Sequence, residues 1–262
     1  DNLSNIKDQE VFPENKRIEH ALETMEIYSR IMDAMAIWEM RVRREDGAIR
    51  YLHPDKFTET KEIYLRAVAG TAHRFDQLIS GMGDALQRRG IKARLEHRQR
   101  TISEVFRALE RKKRSLEELL ATNPYYLDYL LIEVANGLNM ECYRALGILR
   151  DEVQRSEPES LVGFKPRSEE IKDSIAHPRP NGYRALQTTF YREGERGELL
   201  VTATTQRINT ENRLGLAALG AEMDFRKPCR QRGNLPDAQP QGPVSGGDWI
   251  LYPDAPRVGR GR

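Results

Sequence analysis

The sequence predicts an α+β protein, with an N-terminal helical region followed by a mixed β-sheet with flanking helices, and three observations carry that prediction. From Asn15 to about Arg89 the apolar residues recur at helical spacing. Tyr125 to Ala135 is rich in tyrosine, leucine, isoleucine and valine, the composition of a buried strand. Arg184–Tyr191 and Glu198–Thr205 flank the turn sequence Arg192-Glu-Gly-Glu-Arg-Gly197, which reads as a hairpin.

The helical stretch is carried first by Ile18, Leu22, Met25 and Tyr28, next by Ile37, Met40 and Ile49. From Ile63 the pattern continues through Leu65, Val68, Phe75, Leu78, Met82 and Leu86. Pro54 marks a break before a long helix, and Gly90 fits a helix stop ahead of the segment Ile91–Leu95. Thr101–Leu120 is again amphipathic, with Ile102, Val105, Phe106, Leu109 and Leu116 on one side and the run Arg111–Arg114 on the other, where a solvated face is expected. Met140–Val153 has helical spacing, as does Thr205–Glu222. Three regions follow: a helical connector over residues 1–89, a mixed domain over 90–225, and a tail rich in Pro, Gly, Gln and Arg over 226–262. Only Trp249–Tyr252 offers that tail an apolar anchor.

Composition excludes several classes of function. The 42 basic and 40 acidic residues nearly cancel, so no global field draws the chain to nucleic acid or to a membrane. No apolar run reaches the roughly 20 residues of a membrane helix, and nothing near Asp1–Glu10 resembles a signal peptide, so the cytoplasm is the expected compartment. Cys142 and Cys229 are too few for a disulfide scaffold or a cysteine-built zinc site. His20, His53, His73, His97 and His177 are scattered, with no H-E-x-x-H or His-Asp arrangement, which argues against a metal hydrolase.

The segment Lys172-Asp-Ser-Ile-Ala-His-Pro-Arg-Pro-Asn-Gly-Tyr-Arg-Ala-Leu-Gln-Thr-Thr189 resembles the RelA/SpoT synthetase motif, commonly K-D-Y-I-A-x-P-K-x-N-G-Y-x-S-L-H-T. Ala36-Ile-Trp38 through Glu45–Phe57 is similar to the helical connector of long family members, and Gly90-Ile-Lys-Ala93 to the start of their synthetase. Cys142-Tyr-Arg-Ala-Leu-Gly147 and Leu214-Gly-Leu-Ala-Ala218 are similar to the family's C-Y-x-x-L-G and Y-G-V-A-A-H helices. Gly246–Pro256 has a fainter likeness to the regulatory domain beyond. The resemblance implies a nucleotidyltransferase-like fold, with guanine nucleotide and ATP as partners and magnesium as cofactor if the chain is active. It leaves association with a ribosome or a second copy open.

Pyrophosphate transfer from ATP to the ribose 3′-hydroxyl of GDP or GTP needs purine platforms, cations on the phosphates and carboxylates for magnesium. The resemblance sets Tyr183 as the guanine platform on the Asn181-Gly182 turn, with Arg179 and Lys172 as phosphate cations and Gln187 beside them. A turn carrying a core tyrosine is the plainer meaning of Asn-Gly by itself. Asp128 falls at the magnesium-binding, catalytic aspartate, and its alternative is a polar residue at a strand end. Arg98 and Arg100, with Ser103, stand near the donor-binding R-P-K-x-x-x-S, and Arg107 for a later basic residue.

Several positions depart from the family pattern. Glu133 stands for an arginine, Leu200 for the catalytic glutamate and Thr204 for a second arginine, while Gln187, Asn209 and Leu219 replace histidines. Glu198 lies two residues before Leu200, about 7 Å along the same strand face, where a register shift would return a carboxylate to the site. The expected function is a degenerate synthetase domain of guanosine tetra- and pentaphosphate metabolism that binds guanine nucleotide or regulates. An active magnesium-dependent pyrophosphokinase and a protein-interaction or ribosome-associated module are the alternatives.

Overall fold

The computed structural model describes residues 12–215 except 72, 136, 155–160, 162 and 168–170. The helix expected beyond Leu214, the tail over 226–262 and the Trp249–Tyr252 anchor lie outside the described residues.

The helical spacing of the N-terminal third becomes α1 (Glu14–Glu23), a π-helical turn (Thr24–Tyr28), α2 (Ser29–Ala34), α3 (Trp38–Leu52), α4 (Pro54–Ala69) and α5 (Asp76–Arg88). Pro54 opens α4 at its first position, where its missing N–H costs nothing. Strand β1 (Ala93–Gln99) follows the left-handed Gly90, then α6 (Ile102–Lys112) and α7 (Leu116–Thr122). The single amphipathic helix expected over Thr101–Leu120 is therefore two. Lys113 adopts φ 51°, and Ser115 with Glu118 forms a capping box that starts the second helix. Thr101 and Glu104 form the same device at the start of α6.

Strand β2 (Asp128–Val134) is shorter than the apolar run that predicts it, because turns occupy Tyr125–Leu127. Beyond it come α8 (Asn139–Gln154), the short strands β3 (Phe164–Pro166) and β4 (Lys172–Asp173), then β5 (Leu186–Arg192), β6 (Leu199–Thr205) and α9 (Gln206–Leu214). The expected hairpin forms, with β5 antiparallel to β6 and Leu186 opposite Ala203. The six-stranded sheet runs β1-β2-β6-β5-β3, with β4 also on β5. Among the described residues only β2 and β6 pair in parallel, so the sheet is mixed and the fold is α+β.

Alternation gives the sheet two unlike faces. Leu130, Ile132 and Val134 of β2, Leu199, Val201 and Ala203 of β6, and Leu186 and Phe190 of β5 join a core with α5 and α8. Leu78, Met82 and Leu86 come from α5, and Cys142, Ala145, Leu146 and Leu149 from α8. Burying each such large side chain contributes about 1.5–3 kcal/mol, which anchors α5 to the sheet. The earlier helices pack on α6 and α7, where Ile63, Tyr64 and Val68 meet Val105, Leu116 and Leu119.

Polar contacts fix this helical layer in one orientation. The Ser103 amide donates to Asp46 Oδ1 at 2.7 Å, and the Tyr64 hydroxyl to the Arg100 carbonyl at 2.9 Å. Arg107 pairs with the fully buried Glu45 and donates to Ser29 Oγ at 3.3 Å. A buried carboxylate needs such partners, so Arg107 is committed to the helical layer.

Candidate functional site

The other face of the sheet carries a cleft. Its floor is Tyr129 and Leu131 of β2, Gln187 of β5, and Leu200, Thr202 and Thr204 of β6. Arg98 and Arg100 from the end of β1 and Glu104 of α6 form one side, and Asn181, Gly182 and Tyr183 another. Asn209, Glu211, Asn212 and Arg213 of α9 close a third side, and Asp33, Ala36, Trp38 and Arg41 of the α2–α3 corner the fourth.

The Asn181-Gly182-Tyr183 turn is built locally. Asn181 Oδ1 accepts from the Tyr183 amide at 3.2 Å, the Gly182 amide donates to the Arg179 carbonyl at 2.7 Å, and the Arg179 amide to the Tyr183 carbonyl at 3.1 Å. Gly182 takes φ 79°, a conformation that favours glycine. The next residue docks the turn on α9: the Arg184 amide donates to Asn212 Oδ1 at 3.0 Å, and Asn212 Nδ2 to the Arg184 carbonyl at 2.7 Å. Arg184 also pairs with Glu211.

Three of the residues expected to bind nucleotide form one group on this turn. The Arg179 guanidinium lies over the Tyr183 ring at 5.1 Å and donates to Gln187 Oε1 at 3.2 Å, and Gln187 Nε2 reaches the Tyr183 hydroxyl at 3.4 Å. Burial pushes the Tyr183 phenol up to about 12, with Arg179 opposing and Tyr129 and Glu104 adding to the shift. Arg98 is held by Glu96 at 2.7 Å, and Arg100 donates to the Tyr126 carbonyl at 2.8 Å. Lys172 is exposed on β4, paired in register with Gln187, and is not among the cleft-lining residues.

The two expected catalytic carboxylates point elsewhere. Asp128 shares the sheet face of Leu130 and Ile132, away from the cleft, where His97 Nε2 lies 2.8 Å and Gln99 Nε2 3.5 Å from its Oδ1. It is 2% exposed, and His97 packs on Phe75 at 4.8 Å. Glu198 precedes β6 and pairs with Arg167, while its backbone is clasped by Asn123 at 3.0 and 3.2 Å. No group of three or more His, Cys, Asp or Glu side chains among the described residues is arranged to hold a metal ion. With Asp128 on the opposite face, the cleft does not fit a magnesium ion on that carboxylate.

The departures from the family pattern shape the cleft. Leu200 and Thr204 leave its floor neutral. Glu133 accepts from Asn209 Nδ2, so the two replacements form a pair. Asp33 and Glu104, both on the rim, have carboxyl groups raised by burial, opposed at Asp33 by Arg41 and Arg107 and at Glu104 by its capping hydrogen bonds. Sequence reasoning missed Asp33, Trp38, Arg41, Tyr129 and Arg213. Alternation along β2 signals Tyr129, but nothing local brings the α2–α3 corner to this face.

Fold and cleft thus define an α+β protein with an arginine- and tyrosine-lined cleft on the open face of a mixed sheet. In sequence the chain is related to the RelA/SpoT-type proteins of alarmone metabolism. It is 27% identical over 230 residues to a guanosine-3′,5′-bis(diphosphate) 3′-pyrophosphohydrolase of Aquifex aeolicus, covering 87% of this chain and 30% of that protein. It is 22% identical over 216 residues to a GTP pyrophosphokinase of Escherichia coli strain K12, covering 82% and 26%. A GTP pyrophosphokinase of Brucella ovis is 29% identical over 190 residues, covering 72% and 23%. The chain therefore spans less than a third of the length of these relatives. The small alarmone synthetase 1 of Bacillus subtilis, solved with its product pppGpp, superposes with a TM-score of 0.40 at 14% identity, covering 65% of this chain and 84% of that one. No family model matches the chain.

Proposed function

We propose that this chain is an alarmone-related domain that binds guanine nucleotide in its cleft and has given up metal-dependent pyrophosphate transfer. The observation that carries the reading is Tyr183 and Gln187 lining a cleft rimmed by Arg98 and Arg100, with Arg179 in contact with both. An aromatic face is a platform for a purine, and guanidinium groups suit phosphate. The likeness to proteins named for GTP and for guanosine bis(diphosphate) supports guanine as the base. Loss of transfer is supported by Leu200 on the floor and by the engagement of Asp128 and Glu198 elsewhere.

Calorimetry with GDP, GTP and the tetra- and pentaphosphate, each with magnesium and with EDTA, tests this reading. Saturable binding that survives EDTA is expected. Absence of binding to all four ligands would overturn it.

A second reading, an active pyrophosphokinase, is favoured by the names of the relatives and by Asp33, Glu104 and Glu211 at the rim. It demands tetra- or pentaphosphate from ATP, magnesium and GDP or GTP. No product after long incubation at high protein concentration removes it.

A further inference from the structure

The α2–α3 corner has no counterpart in the turn-and-sheet group just described, yet it forms a wall of the same cleft. Trp38, the first residue of α3, lines the cleft together with Tyr183. Its ring is part of none of the three apolar clusters among the described residues. A partly buried indole that the core does not use, facing a cleft with a second aromatic, is a large apolar surface available to a planar ligand.

The backbone around it is held for that position. Ala36 takes φ 57°, a conformation that costs a non-glycine residue energy and persists only where the surroundings enforce it. The end of α9 lies directly against it. Gly215, at φ 55°, lies so close to the Met35 carbonyl and to Ala36 that a Cβ would overlap them. Beside it, Arg213 Nη2 pairs with Glu39 Oε2 at 2.7 Å. The corner is thus fastened to α9, the same helix that carries Asn212 and docks the Tyr183 turn.

We propose that Trp38, contributed by the helical layer, is a second aromatic contact for the purine nucleotide bound in the cleft. The proposal rests on the nucleotide-binding reading above and adds that the helical layer is part of the binding site. Arg41, one turn along α3 and paired with Asp33, stands on the same wall as a cation within the ligand's surroundings.

The chain holds two tryptophans, so Trp249→Phe leaves Trp38 as the sole indole of the 262 residues. Titration of that variant with GDP, followed by both calorimetry and tryptophan emission, separates the two ideas. The expected result is quenching of Trp38 that saturates with the calorimetric isotherm. Trp38→Ala is expected to weaken GDP binding by about fivefold to a hundredfold, and Trp38→Phe to restore most of it. Far-UV circular dichroism of both variants checks the fold. Should Trp38→Ala fail to fold, the emission titration of the unaltered indole decides by itself.

Calorimetric binding without any change in Trp38 emission, or with full affinity in a folded Trp38→Ala protein, overturns this proposal and leaves the nucleotide reading standing. Absence of GDP binding, with GTP and the alarmones equally silent, overturns both.

Discussion

Glu133 and Asn209 are hydrogen-bonded across the sheet and α9, the amide Nδ2 donating to the carboxylate Oε2. Each occupies a position where the RelA/SpoT resemblance expects a basic residue, so two departures that look independent in sequence form one contact. A carboxylate in place of an arginine repels phosphate unless its charge is engaged. Asn209, 7% exposed, engages it at the edge of the cleft.

Asn209→Ala removes the donor and leaves the carboxylate without it. A hydrogen bond to a charged group contributes about 1.5–3 kcal/mol, so urea denaturation should show a loss in that range. Asn209→Asp places a second carboxylate against Glu133, and its destabilisation should shrink as pH falls and one of the two is protonated. An Asn209→Ala protein as stable as the parent would mean that the pair contributes nothing.

Asp128 yields a prediction that separates structure from catalysis. Its carboxylate accepts from the ring and amide groups of His97 and Gln99 on the core face of the sheet. Asp128→Ala takes the partner from His97 Nε2, while Gln99 Nε2 keeps Thr71 Oγ1 at 2.9 Å, and should cost about 1–3 kcal/mol. GDP affinity, measured by calorimetry on the folded variant with magnesium present, should not change. A magnesium-dependent loss of affinity in Asp128→Ala would contradict the placement of this side chain away from the ligand.

Much of this was legible in the sequence because it is local. The Asn181-Gly182-Tyr183 turn follows from an Asx side chain and a positive-φ glycine within a few residues, and the β5–β6 hairpin from two alternating runs around a turn. The face of Asp128 was not legible. A strand's first residue points in or out according to where the strand begins, and a shift of one position reverses the answer. The break at Lys113 is written in the Ser115–Glu118 capping box, but the amphipathic spacing that runs across it conceals it. Strands β3 and β4 are three and two residues long, too short to show a period. That Trp38 and Tyr183 line one cleft depends on how α3 packs on the distant α9, which no local pattern encodes.

The Ala36–Gly215 contact gives two substitutions of opposite sign. Gly215→Ala forces a Cβ onto the Met35 and Ala36 backbone at a positive φ and should cost more than about 1–2 kcal/mol. Ala36→Gly relieves a left-handed alanine, and the gain of about 1–2 kcal/mol is partly offset by the roughly 0.5–1 kcal/mol entropic cost of glycine. Chemical denaturation should therefore place the Ala36→Gly protein at or slightly above the parent and Gly215→Ala well below it. The reverse order would show that α9 does not hold the corner.

Tyr183 and Tyr64 predict how stability responds to alkali. Burial pushes both phenols up to about 12, whereas an unfolded tyrosine titrates near 10. Between these values the unfolded chain has released protons that the folded chain still holds, so stability falls as pH rises from about 10 to about 12. Below about 10 both states are protonated at these groups and their contribution is constant. Tyr183→Phe removes one of the groups that titrate higher in the folded chain and retains the ring, so its stability should decline less steeply across that window. Its GDP affinity should stay close to that of the parent, because a phenyl face stacks on a purine as a phenol face does. Tyr183→Ala is expected to lose about 1–3 kcal/mol of binding. A Tyr183→Phe protein with the parent's slope between pH 10 and 12 would place the Tyr183 hydroxyl in water, where the Gln187 contact and the overlying Arg179 have no role in shielding it.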